Sequence, residues 1–369
     1  MPPFGLSAVV RTARRLGRRA FEPDAGEAAM VVPQGRYAPR PHDGVLVLQQ
    51  GSNPSTDYYL RPRLRESDVP VVYADLADSP RGRPLAALAG AQALLVVICR
   101  YGAGPWLSAL ESMSGRLARV AYFMDDDLPA MCVADAIPQA YRRRIVRRYA
   151  DHVERLSKLA SEVWVSSAVL ADRYPMAQPV LLEPLPDEDL PEPSEAAPRL
   201  VVYHATGVHG PERQFVVDVA RRLADLGCDA EIEITGDGEL RRSCADLARV
   251  RVVPQQSWPR YRERQRGRRA AIALAPLFPT AINDARAPVK AFEAARLGAA
   301  GLYADAEPYR RAVDAGVDGL LLPMEVELWA RTIASLLDDT GHRHALARAA
   351  WTRLAGLRAL HPNLPSPTR

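Results

Sequence analysis

The chain has 369 residues, of which 48% are hydrophobic, and a formal charge of only +4. That length suits about two domains of ordinary size, each able to bury its own core, and so small a charge gives no electrostatic argument for a nucleic-acid partner. Of the 48 basic residues 46 are arginine and only Lys158 and Lys290 are lysine, so a lysine kept against that bias marks a position to follow.

The first segment, residues 1–42, is basic at its start. Arg11, Arg14, Arg15, Arg18 and Arg19 are not followed by an apolar run, so it does not read as a secretory signal. Wound as a helix it gathers Leu6, Val9, Val10, Ala13, Leu16 and Ala20 on one side and most arginines on the other, the pattern of an interfacial helix on anionic lipid; a frayed basic tail is the plain alternative. The longest apolar stretch, Pro84 to Cys99, is interrupted by Gln92 and is shorter than the ~18 to 20 residues of a spanning helix. Cys99, Cys132, Cys228 and Cys244 fall in no C-x-x-C or His-paired spacing, which predicts neither a zinc site nor a disulfide framework and fits a reduced, cytoplasmic setting.

From Asp43 the pattern is β-α alternation. GVLVLQQ (44–50), VPVVYADL (69–76), ALLVVIC (93–99), RVAYFM (119–124), EVWVSS (162–167) and PVLLEP (179–184) are continuously apolar rather than alternating, which predicts strands covered on both faces by helices, as in a parallel sheet. RVAYFM runs into Asp125, Asp126 and Asp127, three adjacent carboxylates before a Leu-Pro. A helix N-cap accounts for one of them. The run Tyr141–Leu156 distributes Arg142, Arg143, Arg144, Arg147 and Arg148 around a helix, by default a solvated face. The domain so outlined covers 43–183.

Residues 184–198 belong to a stretch with five prolines and six acidic residues between Leu182 and Arg199, read as a hinge with nothing to pack. The alternation then restarts with RLVVYHAT (199–206), AEIEITG (230–236), RVRVVPQ (249–255), AAIALAPL (270–277), GAAGLYA (298–304) and DGLLLP (318–323), ending in two amphipathic helical patterns before residue 360. A second domain, 199–360, and a disordered tail, 361–369, complete the plan. Two doubly wound Rossmann-like α/β domains facing across a cleft are predicted, with chemistry just after the strands, where ligands of such sheets bind.

After RLVVYHAT come Gly207, His209 and Arg213 at a helix entrance, small residues and a cation suited to a phosphate. Gly236, in GDGEL, allows a ligand close to the backbone or simply makes a tight turn. The densest group is NDARAPVKAFEAARLGAAGLYAD. Lys290 and Glu293 share a face of a helix beginning near Ala287, and Asn283, Asp284 and Arg286 lie in the loop before it. An ordinary i,i+3 surface pair is the bland alternative, but one of the two lysines of the chain is in it.

In NDARAPVKAFEAARLGAAGLYAD, the closing GVDGLLLP and the GDGEL turn, the chain resembles the GT-B nucleotide-sugar glycosyltransferases, in particular the large retaining family 4-like group, as a divergent member with a D-D-D-L turn. The resemblance covers most of 200–337 and more loosely 45–186. It implies a transferase taking a sugar from a nucleotide-sugar donor to a glycan or lipid-linked acceptor, with Glu293 on the ribose and Lys290 and Arg286 near the diphosphate. It places Gly207, His209 and Arg213 at the phosphate-side loop. The pair of glutamates seven residues apart that this group carries would need Glu at 285, which is Ala here, so the donor-sugar contact departs from the pattern, with Asp284 and Asn283 beside it. In GT-A enzymes an Asp-x-Asp string holds a metal. The GT-B plan instead points to a metal-independent enzyme without a cofactor, and moves Asp125, Asp126 and Asp127 to the acceptor as hydroxyl ligand or general base. The two basic segments together allow a membrane-peripheral placement on anionic lipid, as the alternative to a solvated face. A GT-B epimerase and a non-catalytic glycan- or nucleotide-binding subunit stay open.

Overall fold

The computed structural model describes residues 29–37, 40–186, 189–206, 209–360 and 363–365. The expected interfacial helix, over residues 4–21, and Gly207 lie outside these residues. Two compact units are present. The first comprises residues up to Glu183 together with Ala285–Ala287 and the described residues from Asn363 on; the second comprises Pro184–Asp284 and the residues from Pro288.

The first unit is built on six parallel strands, β1 (Gly44–Gln49), β2 (Val71–Asp75), β3 (Leu94–Cys99), β4 (Leu117–Met124), β5 (Glu162–Val165) and β6 (Val180–Leu181), in the order β2-β1-β3-β4-β5-β6. β1, β3 and β4 are buried at every residue, which is why they read as unbroken apolar runs rather than alternating ones. A buried ion pair joins two of these strands: Arg119 of β4 grips Glu162 of β5 with two hydrogen bonds, 2.7 and 2.9 Å, and Trp164 Nε1 donates to the same carboxylate at 3.2 Å. Arg119 also donates to the Pro365 carbonyl at 2.8 Å, so part of the segment expected to be a disordered tail is placed in this unit.

The second unit repeats the plan with β7 (Leu200–Tyr203), β8 (Glu231–Gly236), β9 (Val250–Pro254), β10 (Ile272–Ala275), β11 (Ala300–Ala304) and β12 (Leu320–Leu322), all parallel, in the order β12-β11-β10-β7-β8-β9. Renumbered from β7 this is 3-2-1-4-5-6, the dinucleotide-binding order, in which the direction of winding reverses between β7 and β10. All twelve strands expected from apolar patterning are present, most one to three residues shorter at an end.

The segment 184–198, read as a hinge with nothing to pack, belongs to the second unit. Leu185 and Leu190 are buried, Trp351 Nε1 donates to the Leu190 carbonyl at 2.8 Å, and Pro193 lies against Gly298. Its prolines bar helix and sheet ladders but not burial, because proline has no N–H to leave unsatisfied. The arginine-rich run after Tyr141 is also not one helix: Gln139–Arg148 and Val153–Leu159 are separated by a 3-10 turn at Ala150–His152. Among the described residues no helix is long and apolar enough to cross a membrane.

Candidate functional site

In a parallel sheet the ligand crevice opens beyond the carboxyl ends of the strands, at the point where the winding reverses. In the second unit those ends are His204, the first residue after β7, and Ala275, the last of β10. Over them lies the helix Val289–Arg296, which begins at Pro288 and buries Ala291, Phe292, Ala294 and Ala295 on the sheet. The same 3.6-residue period that buries those four leaves Lys290 and Glu293 together at the rim. Lys290 Nζ is 2.7 Å from Glu293 Oε2 and also donates to the His204 carbonyl oxygen. The pair expected from spacing is therefore formed, and it is tied to the switch-point strand. Both side chains keep an outer edge, 25% and 14% exposed. The recess they share with His204, Tyr261 and Ala275 measures about 10 Å³, room for one water and not for a nucleotide, so a larger ligand meets the pair along its outer edge.

Behind the pair stands a group that patterning did not single out. Glu233, in the middle of β8, is fully buried. Its carboxylate receives Arg268 at 2.9 and 3.1 Å and Arg264 at 2.8 Å, is paired with Arg251, and lies 2.8 Å from His204 Nε2. Burial alone would raise this carboxyl, but His204 and Arg268 hold it below the usual carboxylate range. His204 itself is pushed below the ordinary imidazole value by burial, against the pull of Glu233. Its Nδ1 is 3.3 Å from the Tyr261 hydroxyl, which is 3.5 Å from Glu293 Oε2. One signal for Glu233 was available in the sequence: a carboxylate within a strand expected to be covered on both faces must have partners.

Other expected donor residues are placed as follows. His209 precedes the helix Gly210–Asp225, its Nδ1 3.7 Å from Glu212 Oε2. Arg213 donates to the His209 and Thr206 carbonyls at 3.2 and 3.4 Å. Gly236 ends β8, and the space a side chain would take there is filled by Leu240; Asp237 caps the helix Gly238–Ser243. Asn283 and Asp284 are not in a loop but on the one-turn helix Ala281–Asp284, where Asn283 Nδ2 donates to the Phe278 carbonyl at 2.9 Å. Arg286 falls with residues 285–287 in the first unit, Nη1 3.8 Å from Asp126 Oδ1.

In the first unit the three aspartates follow β4 and separate into two kinds. Asp127 is 1% exposed and caps the helix Leu128–Val133, accepting the Ala130 N–H at 3.0 Å; Arg173 and Tyr174 bind its two oxygens. Asp125 and Asp126 flank one guanidinium, Arg100, at 3.2 and 2.9 Å. A cation thus already stands between these two carboxylates. Burial pushes the Asp125 carboxyl up, with Arg100 pulling against it and Asp126 adding to it. Arg100 is the first residue after β3 and has φ +68°, the left-handed region that costs a side chain about 1 to 3 kcal/mol. Its backbone is held there by its N–H to the Phe123 carbonyl, 2.8 Å, and by the Tyr122 hydroxyl on its own carbonyl, 2.8 Å. Nothing local in the sequence marks Arg100, one of 46 arginines; the pairing of β3 with β4 is what brings it to the aspartates. Among the described residues no group of three His, Cys, Asp or Glu is arranged to hold a metal ion.

No protein-family model and no curated protein matches the sequence. Several solved structures are similar in fold. Sucrose-phosphate synthase from Thermosynechococcus elongatus superposes with a TM-score of 0.54 at 13% identity, over 85% of this chain and 94% of that one. HepE of Anabaena, in complex with UDP and glucose, gives 0.53 at 16% identity over 86% and 95%. A glycosyltransferase from Rickettsia africae gives 0.50 at 9% identity over 87% and 94%. At such identities the likeness is one of fold: the chain has the α/β architecture of the GT-B glycosyltransferases, two doubly wound parallel sheets of six strands.

Proposed function

We propose that this chain is a GT-B glycosyltransferase that moves a sugar from a nucleotide-sugar donor to a glycan or lipid-linked acceptor in cell-surface polysaccharide assembly, working in the cytoplasm, at the inner face of the membrane, without metal or cofactor. The observation that carries the reading is the Lys290–Glu293 pair at the switch point of a 3-2-1-4-5-6 sheet, tied to His204. A carboxylate and an ammonium fixed side by side there suit a ligand with a diol next to a diphosphate. In the reaction the bond between the anomeric carbon and the diphosphate oxygen breaks with its electron pair leaving on the diphosphate. The acceptor oxygen bonds to that carbon and gives its proton to a base. Lys290, with His209 and Arg213, supplies positive charge for the leaving group. In the first unit Asp126 and Asp125 are assigned to the acceptor hydroxyl.

HepE was solved with UDP and with UDP-glucose, so UDP-sugars head the test. A thermal-shift panel of UDP-, GDP-, dTDP-, CMP- and ADP-sugars on the wild type, Lys290→Ala and Glu293→Ala is expected to find one nucleotide that stabilises the wild type and neither variant. Equal stabilisation of all three proteins by the same nucleotide overturns the donor site. Ala285, buried where the resembling enzymes carry a glutamate, keeps a non-catalytic binding subunit as a second reading. Slow hydrolysis of a bound donor in the absence of acceptor would exclude it.

A further inference from the structure

Glu233, His204 and Tyr261 form a buried chain that ends on the two residues of the proposed donor site, and nothing in that reading uses it. Its chemistry is ordered by charge. Three arginines and an imidazole surround the Glu233 carboxylate, so it is an anion and can only accept. His204 Nε2, 2.8 Å away, must then carry the ring proton, which leaves Nδ1 as a lone pair. That lone pair faces the Tyr261 hydroxyl at 3.3 Å. A phenol has one proton, and here it has two acceptors in reach, His204 Nδ1 and Glu293 Oε2. The backbone carbonyl of the same histidine receives Lys290, whose ammonium also holds Glu293 Oε2. The one Tyr261 proton is therefore shared between His204 Nδ1 and Glu293 Oε2, a three-centre bond at 3.3 and 3.5 Å, and ties the histidine side chain to the same carboxylate oxygen that Lys290 ties to the histidine main chain.

We infer that His204 and Tyr261, with the histidine tautomer set by Glu233, are positioning residues that hold the Glu293 carboxylate and the Lys290 ammonium in register for the nucleotide. The inference rests on the donor-site reading. None of the three need touch the ligand. The arginine cluster serves this end: Arg251, Arg264 and Arg268 surround a carboxyl that burial alone would raise, and keep Glu233 an anion that accepts the Nε2–H. The groups facing His204 are Glu233, Tyr261, Lys290 and Glu293.

The test uses the full chain with the histidine rings labelled with nitrogen-15. In the apo wild type at neutral pH, His204 should show the Nε2–H tautomer, with Nδ1 unprotonated. Tyr261→Phe, which keeps the ring packing, and Glu233→Gln, which keeps the shape, are compared with the wild type for melting temperature and for UDP and GDP binding by calorimetry. The loss of one shared hydrogen bond predicts about 3- to 10-fold weaker nucleotide binding in Tyr261→Phe, with a melting temperature lowered by no more than about 2 to 6 °C. Glu233→Gln should mix the two His204 tautomers and weaken binding at least as much, and Glu233→Asp should restore part of it. A wild-type His204 with the proton on Nδ1 overturns the inference, as does unaltered affinity in Tyr261→Phe while Lys290→Ala and Glu293→Ala lose the nucleotide. Nucleotide binding indifferent to Lys290→Ala and Glu293→Ala overturns the donor site instead, so the two failures are told apart.

Discussion

Asp127→Asn separates a structural carboxylate from a chemical one. Asparagine keeps an oxygen for the Ala130 N–H, so the cap on the helix Leu128–Val133 survives, but it removes the charge that meets Arg173, whose side chain is 29% exposed. A charge-assisted bond to a partly solvated arginine contributes about 1 to 2 kcal/mol. Asp127→Ala removes the cap as well, about 1 kcal/mol more, and leaves the Tyr174 hydroxyl without an acceptor. For a unit of this size each kcal/mol moves the melting temperature by about 2 to 4 °C. Asp127→Asn should therefore melt about 2 to 8 °C below wild type and Asp127→Ala lower still, by differential scanning fluorimetry with urea titration as a second measure. At a temperature where both are folded, turnover should stay within a few fold of wild type. Asp126→Asn, whose side chain is 19% exposed beside Arg100, should show the reverse, a small change in melting and a large loss of turnover. An Asp127→Asn protein that melts like wild type but has lost turnover 100-fold or more refutes this division of the three aspartates.

Acidification should destabilise the protein from about pH 6.5 downward. The imidazole of His204 is held neutral by burial, below its ordinary 6.5, so in that window the unfolded chain binds a proton that the folded chain refuses, and stability falls as pH falls. Glu233, held below its ordinary 4.5, extends the loss as pH drops through that value. Asp125, raised above 3.8, works in the opposite direction. A melting temperature that rises between pH 7 and 5.5 would contradict the assignment. In the first unit, Arg119→Ala should cost about 3 to 5 kcal/mol because it strands the buried Glu162; a loss under 1 kcal/mol by urea titration would show that Glu162 finds water. In the second unit Gly301→Ala should lower stability by about 1 to 3 kcal/mol, since the new methyl meets the Tyr303 ring, which is 1% exposed and has nowhere to move. A neutral Gly301→Ala would show that the ring can shift.

Legibility in the sequence followed the range of the interaction. The twelve strands were readable because a strand of a covered parallel sheet is apolar at every position, a local property of GVLVLQ or LLVVIC. The pairing of Lys290 with Glu293 was readable because helical geometry alone brings i and i+3 together. The helix Ala281–Asp284 is indistinguishable from a loop in the sequence because a single turn is too short to show a period. Residues 184–198 were read as unpacked because proline and acid content report on hydrogen bonding and not on burial; Trp351, 161 residues from Leu190, supplies the partner.

Local pattern is enough for the α/β class, the twelve strands in two sets of six, and the two side chains at the rim of the helix Val289–Arg296. Packing sets the rest: the 3-2-1-4-5-6 order of the second sheet, the hold of His204 at its switch point on Lys290, the use of Asp127 as a cap, and the place of Arg100 between Asp125 and Asp126. The reason is physical. Periodicity and propensity act within a few residues, whereas strand order, and the meeting of Glu233, His204, Tyr261 and Glu293 from four separate segments, depend on which elements lie side by side after the chain has packed.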